Sequence, residues 1–138
     1  MNVAARLARD SGASLTLLHT WKAPVYAYSG LTVPPPDLDL WTLIETTARG
    51  HLDNILAELK QRVPLATAML RRGSPTEEIL TAIRDLNADL VVIGTHGRRG
   101  LWGTMLGSVA ESVVRMSSVP VLTVPGKTAK WNGGDRPD

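Results

Sequence analysis

The 138-residue chain contains no cysteine and no phenylalanine. The first absence excludes disulfides, thiolate zinc sites and cysteine nucleophiles. The second, with aromatic residues at only 4% in all, requires a core of aliphatic side chains and alanine. No uninterrupted apolar run approaches the roughly 18 residues that a membrane-spanning helix needs. The opening MNVAARLARDSG lacks the continuous apolar centre of a secretory signal, so cytoplasm is the default expectation. Clustered positive charge is scarce as well. Net charge is +2, the only basic doublets are Arg71–Arg72 and Arg98–Arg99, and no basic helix carries interleaved aromatics. Nucleic acid and membrane are therefore not expected partners.

What is present is ordinary globular composition, 43% hydrophobic and 20% charged, in a length that suits one domain. Val3, Ala4, Leu7 and Ala8 share a helical face over residues 3–11, and Gly12 is placed to end that helix. SLTLLHTW, 14–21, reads as a strand. Pro24 and Pro34–Pro36 bracket a loop. From Leu38 to about Arg62, Trp41, Ile44, Ala48, Leu52, Ile55 and Leu59 recur at steps of three and four, which predicts a long amphipathic helix. LATAML, 65–70, is a short strand. GSPTEEIL then predicts a helix start with Ser74 as N-cap, Pro75 first and Glu77 closing a capping box. ADLVVIG, 88–94, is a continuous apolar strand of the kind that helices cover on both faces. A helix over about 108–117 and a strand PVLTV, 120–124, complete the pattern. The tail 126–138 lacks apolar periodicity and is expected to be mobile. Helix and strand alternating at this spacing predict parallel strands in a doubly wound α/β domain over residues 1–125.

The strand at 88–94 runs into a loop with glycines at 94, 97, 100, 103 and 107, and then into a helix at Gly107–Ser108. In an open parallel sheet ligands bind beyond the carboxyl ends of the strands, where this loop must lie. Glycines allow left-handed backbone and close approach to a ligand, and a helix N-terminus offers free amides and a positive dipole end. Together they suit an anion, most often phosphate. A plain structural turn is the alternative. Ser108 either caps the helix or meets the phosphate. The loop is not a P-loop, since no Gly-Lys-Ser/Thr follows.

Gly94-x-x-Gly97, nine residues and then Gly107-Ser108, followed by VAESVV and VPVLTV, resembles the nucleotide-binding signature of the universal stress protein family. RRGSPTEEIL and LTLLHTW sit where that family has its third helix entry and second strand, and the resemblance covers residues 3 to about 125. It implies a flavodoxin-like, Rossmann-like three-layer sandwich with a parallel sheet in the order 3-2-1-4-5. It also implies ATP or AMP as ligand, with or without Mg2+. Gly97, Gly107 and Ser108 would hold phosphates, with Arg98 as countercharge, and Gly94 and Thr95 would line the ribose and phosphate side. The backbone at His19 and Thr20 would meet adenine, and Gly73 would border the same cleft. The resemblance further implies a homodimer through the last strand, Val119, Pro120, Val121, Leu122, Thr123 and Val124.

The chain departs from the family at its start. The family opens with a strand, usually ending in an adenine-contacting Asp; here Met1 already stands within the first helix. The absent strand is the central one. About eight unpaired backbone groups at about 1–3 kcal/mol each would exceed the roughly 5–15 kcal/mol that holds a domain together. The slot would have to close by direct strand pairing or by another segment or chain, or the given start lies downstream of the natural one. The expectation is the last, an N-terminally truncated domain.

Other chemistry is thinly represented. His19, His51 and His96 share no metal-ligand spacing, no general base or metal carboxylate accompanies the loop, and a Ser108–His96–Asp triad has no geometry fixed by sequence. Glu77 and Glu78 read as first-turn helix charges, and Trp41 and Trp102 as packing residues. The expected function is a homodimeric nucleotide-binding stress or regulatory protein with at most slow ATP hydrolysis. The alternatives are a dimeric interaction module of the same fold that holds no nucleotide, and a nucleotidyl transferase, whose reaction residues are not found.

Overall fold

A computed structural model of the chain describes residues 2–22, 27–28, 31–32, 38–95 and 106–125. The chain divides into two compact units, Met1–Thr81 and Ala82–Asp138, with the division inside the third helix.

The first unit opens with α1, Asn2–Ser11. Gly12 follows at φ +68°, and the Ala13 N–H reaches back to the Ala8 carbonyl at 2.9 Å, a glycine-closed helix end. Strand β1, Thr16–Trp21, pairs in parallel with β4, Thr67–Arg72, in a register running from Thr16 opposite Thr67 to Trp21 opposite Arg72. Between them stands α2, Leu38–Lys60, the long helix that the apolar spacing predicts. The loop expected between Pro24 and Pro36 carries a short antiparallel hairpin instead, β2 at Ala27–Tyr28 with β3 at Leu31–Thr32, too brief to leave a periodic signal.

The core of this unit is aliphatic and alanine-rich, as the lack of phenylalanine requires. Ala5 and Ala8 of α1 form one buried cluster with Leu59, Val63 and Ala66, and Leu15, Leu17 and Leu56 pack against it. Small residues on α1 leave room for Leu59, which is only 1% exposed. Strand β4 begins two residues later than its apolar run suggests. The Ala66 N–H turns back to the Val63 carbonyl at 2.9 Å, so Leu65 belongs to a turn and is 83% exposed.

Helix α3, Pro75–Asp85, begins at the expected proline. The carboxylate that turns back toward its start is Glu78, not Glu77. Glu78 pairs with Arg71 at 3.6 Å, and no hydrogen bond of a capping box forms from the Ser74 hydroxyl among the described residues. Asn87, at φ 46°, closes α3: its N–H meets the Arg84 carbonyl at 3.2 Å and the Ala88 N–H meets that of Ile83 at 3.0 Å. That turn is why the following strand, β5, spans only Val91–Gly94 and not the whole apolar run from Ala88.

In the second unit β5 pairs in parallel with β6, Val121–Val124, Val91 opposite Val121 and Gly94 opposite Val124. Helix α4, Ser108–Met116, links them and buries Ala110 and Val113, the latter fully. Among the described residues β1 pairs only with β4, and β5 only with β6. Consistent with one neighbour each, Val91, Val92 and Ile93 are half-buried, short of the full burial expected of such a strand.

Candidate functional site

At the carboxyl end of β5, Thr95 makes the junction on which the glycine-rich segment closes. Its N–H donates to the Val124 carbonyl at 2.9 Å, extending the β5–β6 ladder by one rung. Its own carbonyl accepts the Gly107 N–H at 2.8 Å. Both strand ends are thereby tied to the first turn of α4. Gly107 is the N-cap of that helix at φ −61° and ψ 147°, backbone that any residue adopts. Neither Gly94 nor Gly107 has the left-handed backbone expected of the loop glycines. Position 107 is crowded instead: a Cβ there would stand 3.0 Å from the Thr95 carbonyl oxygen, tighter than ordinary contact.

The helix start is polar and uncapped. Among the described residues no side chain hydrogen-bonds to it, and Ser108 is the exposed first helical residue, not the cap. The first intrahelical bond runs from the Glu111 N–H to the Gly107 carbonyl at 2.9 Å. The amides of Ser108, Val109 and Ala110 therefore precede the helical ladder. The Gly107 N–H, expected to face an anion, donates instead to the Thr95 carbonyl, whereas the Ser108 amide and hydroxyl have no hydrogen-bond partner among the described residues. Glu111 leans along the helix to Arg115 at 3.1 Å, which offsets its charge near the N-terminus. Gly97, Arg98 and His96 lie outside the described residues.

The remaining expected site residues belong to the first unit. His19 and Thr20 lie on β1 opposite Leu70 and Arg71, both half-buried. Gly73 continues the β1–β4 ladder through its N–H to the Trp21 carbonyl at 2.9 Å, and a Cβ on it would collide with the Glu78 carboxylate.

One feature of this unit went unread in the sequence. Successive residues of a strand point to opposite faces, so the doublet Arg71–Arg72 divides. Arg71 meets Glu78, with both side chains less than a quarter exposed. Arg72 turns to the other face, beside Trp21, its partner in the ladder. The Arg72 guanidinium carbon stands 5.3 Å from the centre of the Trp21 ring and 5.6 Å from that of Trp41 on α2. These residues, with Glu45, Thr46 and Arg49 from the next turns of α2, line a cavity of about 460 Å³. Trp41 is thus a cavity wall as well as a packing residue. Their meeting depends on the register that sets Trp21 opposite Arg72.

The model of the universal stress protein family matches residues 1–125. The chain belongs to the universal stress protein family. Among its members, universal stress protein YxiE of Bacillus subtilis is 30% identical over 129 residues, 90% of this chain and 87% of the relative. The solved universal stress protein UspA of Lactobacillus plantarum superposes with a TM-score of 0.71 at 22% identity, over 89% of this chain and 85% of that one. A family protein of Arabidopsis thaliana, solved with AMP bound, superposes with a TM-score of 0.57 at 18% identity, over 92% of this chain and 78% of that one. These likenesses show the flavodoxin-like α/β fold. In the family's strand order, the parallel pairs β1–β4 and β5–β6 correspond to strands 2–3 and 4–5. Among the described residues of this universal stress protein, no three His, Asp or Glu side chains gather as a metal site, and no helix is long and apolar enough to cross a membrane.

Proposed function

We propose that this universal stress protein binds a nucleotide of the ATP or AMP type, whose phosphate is held at the N-terminus of α4. The observation that carries the proposal is the uncapped helix start beside Thr95. The amides of Ser108, Val109 and Ala110 precede the first intrahelical bond, and Ser108 is exposed with no hydrogen bond from its hydroxyl among the described residues. Those donors and the helix dipole favour an anion at that point. Gly107, bonded to Thr95, ties the helix start to the end of β5. Gly94 and Thr95 would border the phosphate, and the AMP bound in the Arabidopsis protein is in keeping with this ligand class. The proposal rests on this phosphate end alone, with His19, Thr20 and Gly73 kept as the residues for the base side.

Oligomerisation is the second part of the proposal. Strand β6 has β5 as its one neighbour among the described residues, and Leu122 on it is 37% exposed. An open, apolar edge of this kind supports pairing with a second copy of the chain. It also favours the rival reading, a dimeric interaction module without nucleotide.

Equilibrium dialysis of the chain against labelled ATP and AMP, with and without Mg2+, tests the first part and separates it from the rival. Saturable binding by the chain, lost in Ser108→Asp, supports a nucleotide protein. A dimer that retains neither nucleotide overturns it in favour of the interaction module.

A further inference from the structure

The cavity beside Arg72 shares no lining residue with the proposed phosphate site, and its chemistry points to a different ligand. Arg72 is a planar cation with five N–H donors. Two indole rings lie against it, and no carboxylate or carbonyl among the described residues accepts a hydrogen bond from it. The one carboxylate among the described lining residues, Glu45, is engaged by Arg49 at 3.3 Å on the same helix. The lining charges, two arginines and one glutamate, leave a net positive pocket.

The walls add a second constraint. Trp21 is 8% exposed and so held by the fold, and Trp41 is half-buried on the first turns of α2. Their rings offer flat π surfaces, and Thr42 and Thr46 add polar residues to the lining. A volume of about 460 Å³ lies within the range of small-molecule sites. Flat apolar walls with an arginine fork at one point match a flat ring that carries an oxyanion.

We propose that the Trp21–Arg72–Trp41 pocket is a binding site for a small aromatic oxyanion, an aryl carboxylate or aryl phosphate. The fork of Arg72 takes the oxyanion and the indoles take the ring. The two oxyanions share this chemistry and are told apart by using benzoate and phenyl phosphate as separate probes.

The test follows the indole N–H resonances of Trp21 and Trp41 by 15N NMR while each probe is titrated into the full chain. The expected result is saturable shifts of both resonances with at least one probe. Binding should weaken at least tenfold in Arg72→Met and less in Arg72→Lys, which keeps charge but loses the fork. Arg72→Lys alone decides the matter should Arg72→Met fail to fold. Benzyl alcohol, a ring without charge, and inorganic phosphate, an anion without a ring, should each bind at least tenfold more weakly than the better probe. The proposal is overturned if neither probe moves the two indoles, if the arginine variants bind as well as the parent, or if either control matches the probes. Ser108→Asp, which removes the proposed nucleotide phosphate site, should leave probe binding unchanged, so failure of one site is distinguishable from failure of the other.

Discussion

The Thr95 carbonyl accepts the Gly107 amide hydrogen across 2.8 Å, while the Thr95 amide donates to Val124 at 2.9 Å. One residue thereby aligns the ends of two parallel strands with the beginning of the helix that joins them. The arrangement crowds position 107, and among the described residues it leaves the next amides of the helix without internal acceptors.

Gly107→Ala measures that crowding. Two effects oppose each other. The extended backbone at 107 admits alanine, and the lower entropy of the unfolded chain would stabilise by about 0.4–1 kcal/mol. The new Cβ would press on backbone at 3.0 Å, and such overpacking costs about 1–3 kcal/mol. The net expectation is a loss of about 1 kcal/mol in urea unfolding, with faster hydrogen exchange of the residue-107 amide. Equal or greater stability would mean that the junction yields.

Ser108→Asp separates stability from ligand binding. An acidic residue in the first turn of a helix stabilises it by about 0.3–1 kcal/mol. The same charge repels a phosphate. Thermal unfolding should stay level or rise while ATP and AMP affinity falls at least tenfold. Unchanged affinity would remove Ser108 from the phosphate site.

Leu59→Ala tests the alanine-lined core of the first unit. Leu59 is 1% exposed among Ala5, Ala8, Val63 and Ala66. Small neighbours with short side chains cannot collapse far into the gap, so a loss of about 2–5 kcal/mol is expected in denaturant unfolding. A loss below 1 kcal/mol would show that α1 is not held there.

Leu122→Lys probes the β6 edge. Lysine on an exposed edge strand disfavours pairing with another chain. Sedimentation should give a dimer for the parent chain and a monomer for the variant, with the fold retained. A dimer that survives the lysine would place the interface elsewhere.

Most of the framework could be read from the sequence because its signals are local. Leu52 and Leu59 mark the buried face of α2 by spacing alone, and Gly12 and Pro75 mark a helix end and a helix start through backbone preference. Strand limits were less legible. Leu65 and Leu90 extend apolar runs beyond β4 and β5, yet turns at Ala66 and Ala88 take them out of the ladders. The site was legible in part. The step from Gly94 to Ser108 located the helix start, but only coordinates reveal that Thr95 engages the Gly107 amide and that Ser108 is not the cap. The Trp21–Arg72–Trp41 cluster depends on the register between two strands 45 residues apart in sequence at the fewest, and no local pattern encodes register between distant strands.

The most direct test of phosphate binding at α4 is a 15N NMR titration of the full chain with AMP, beside the same titration with adenosine. The largest AMP-induced shifts should fall on the amides of Ser108, Val109 and Ala110, and adenosine, which lacks the phosphate, should leave those amides in place. AMP binding that leaves them unmoved, or shifts that adenosine reproduces in full, would contradict a phosphate seat at the N-terminus of α4.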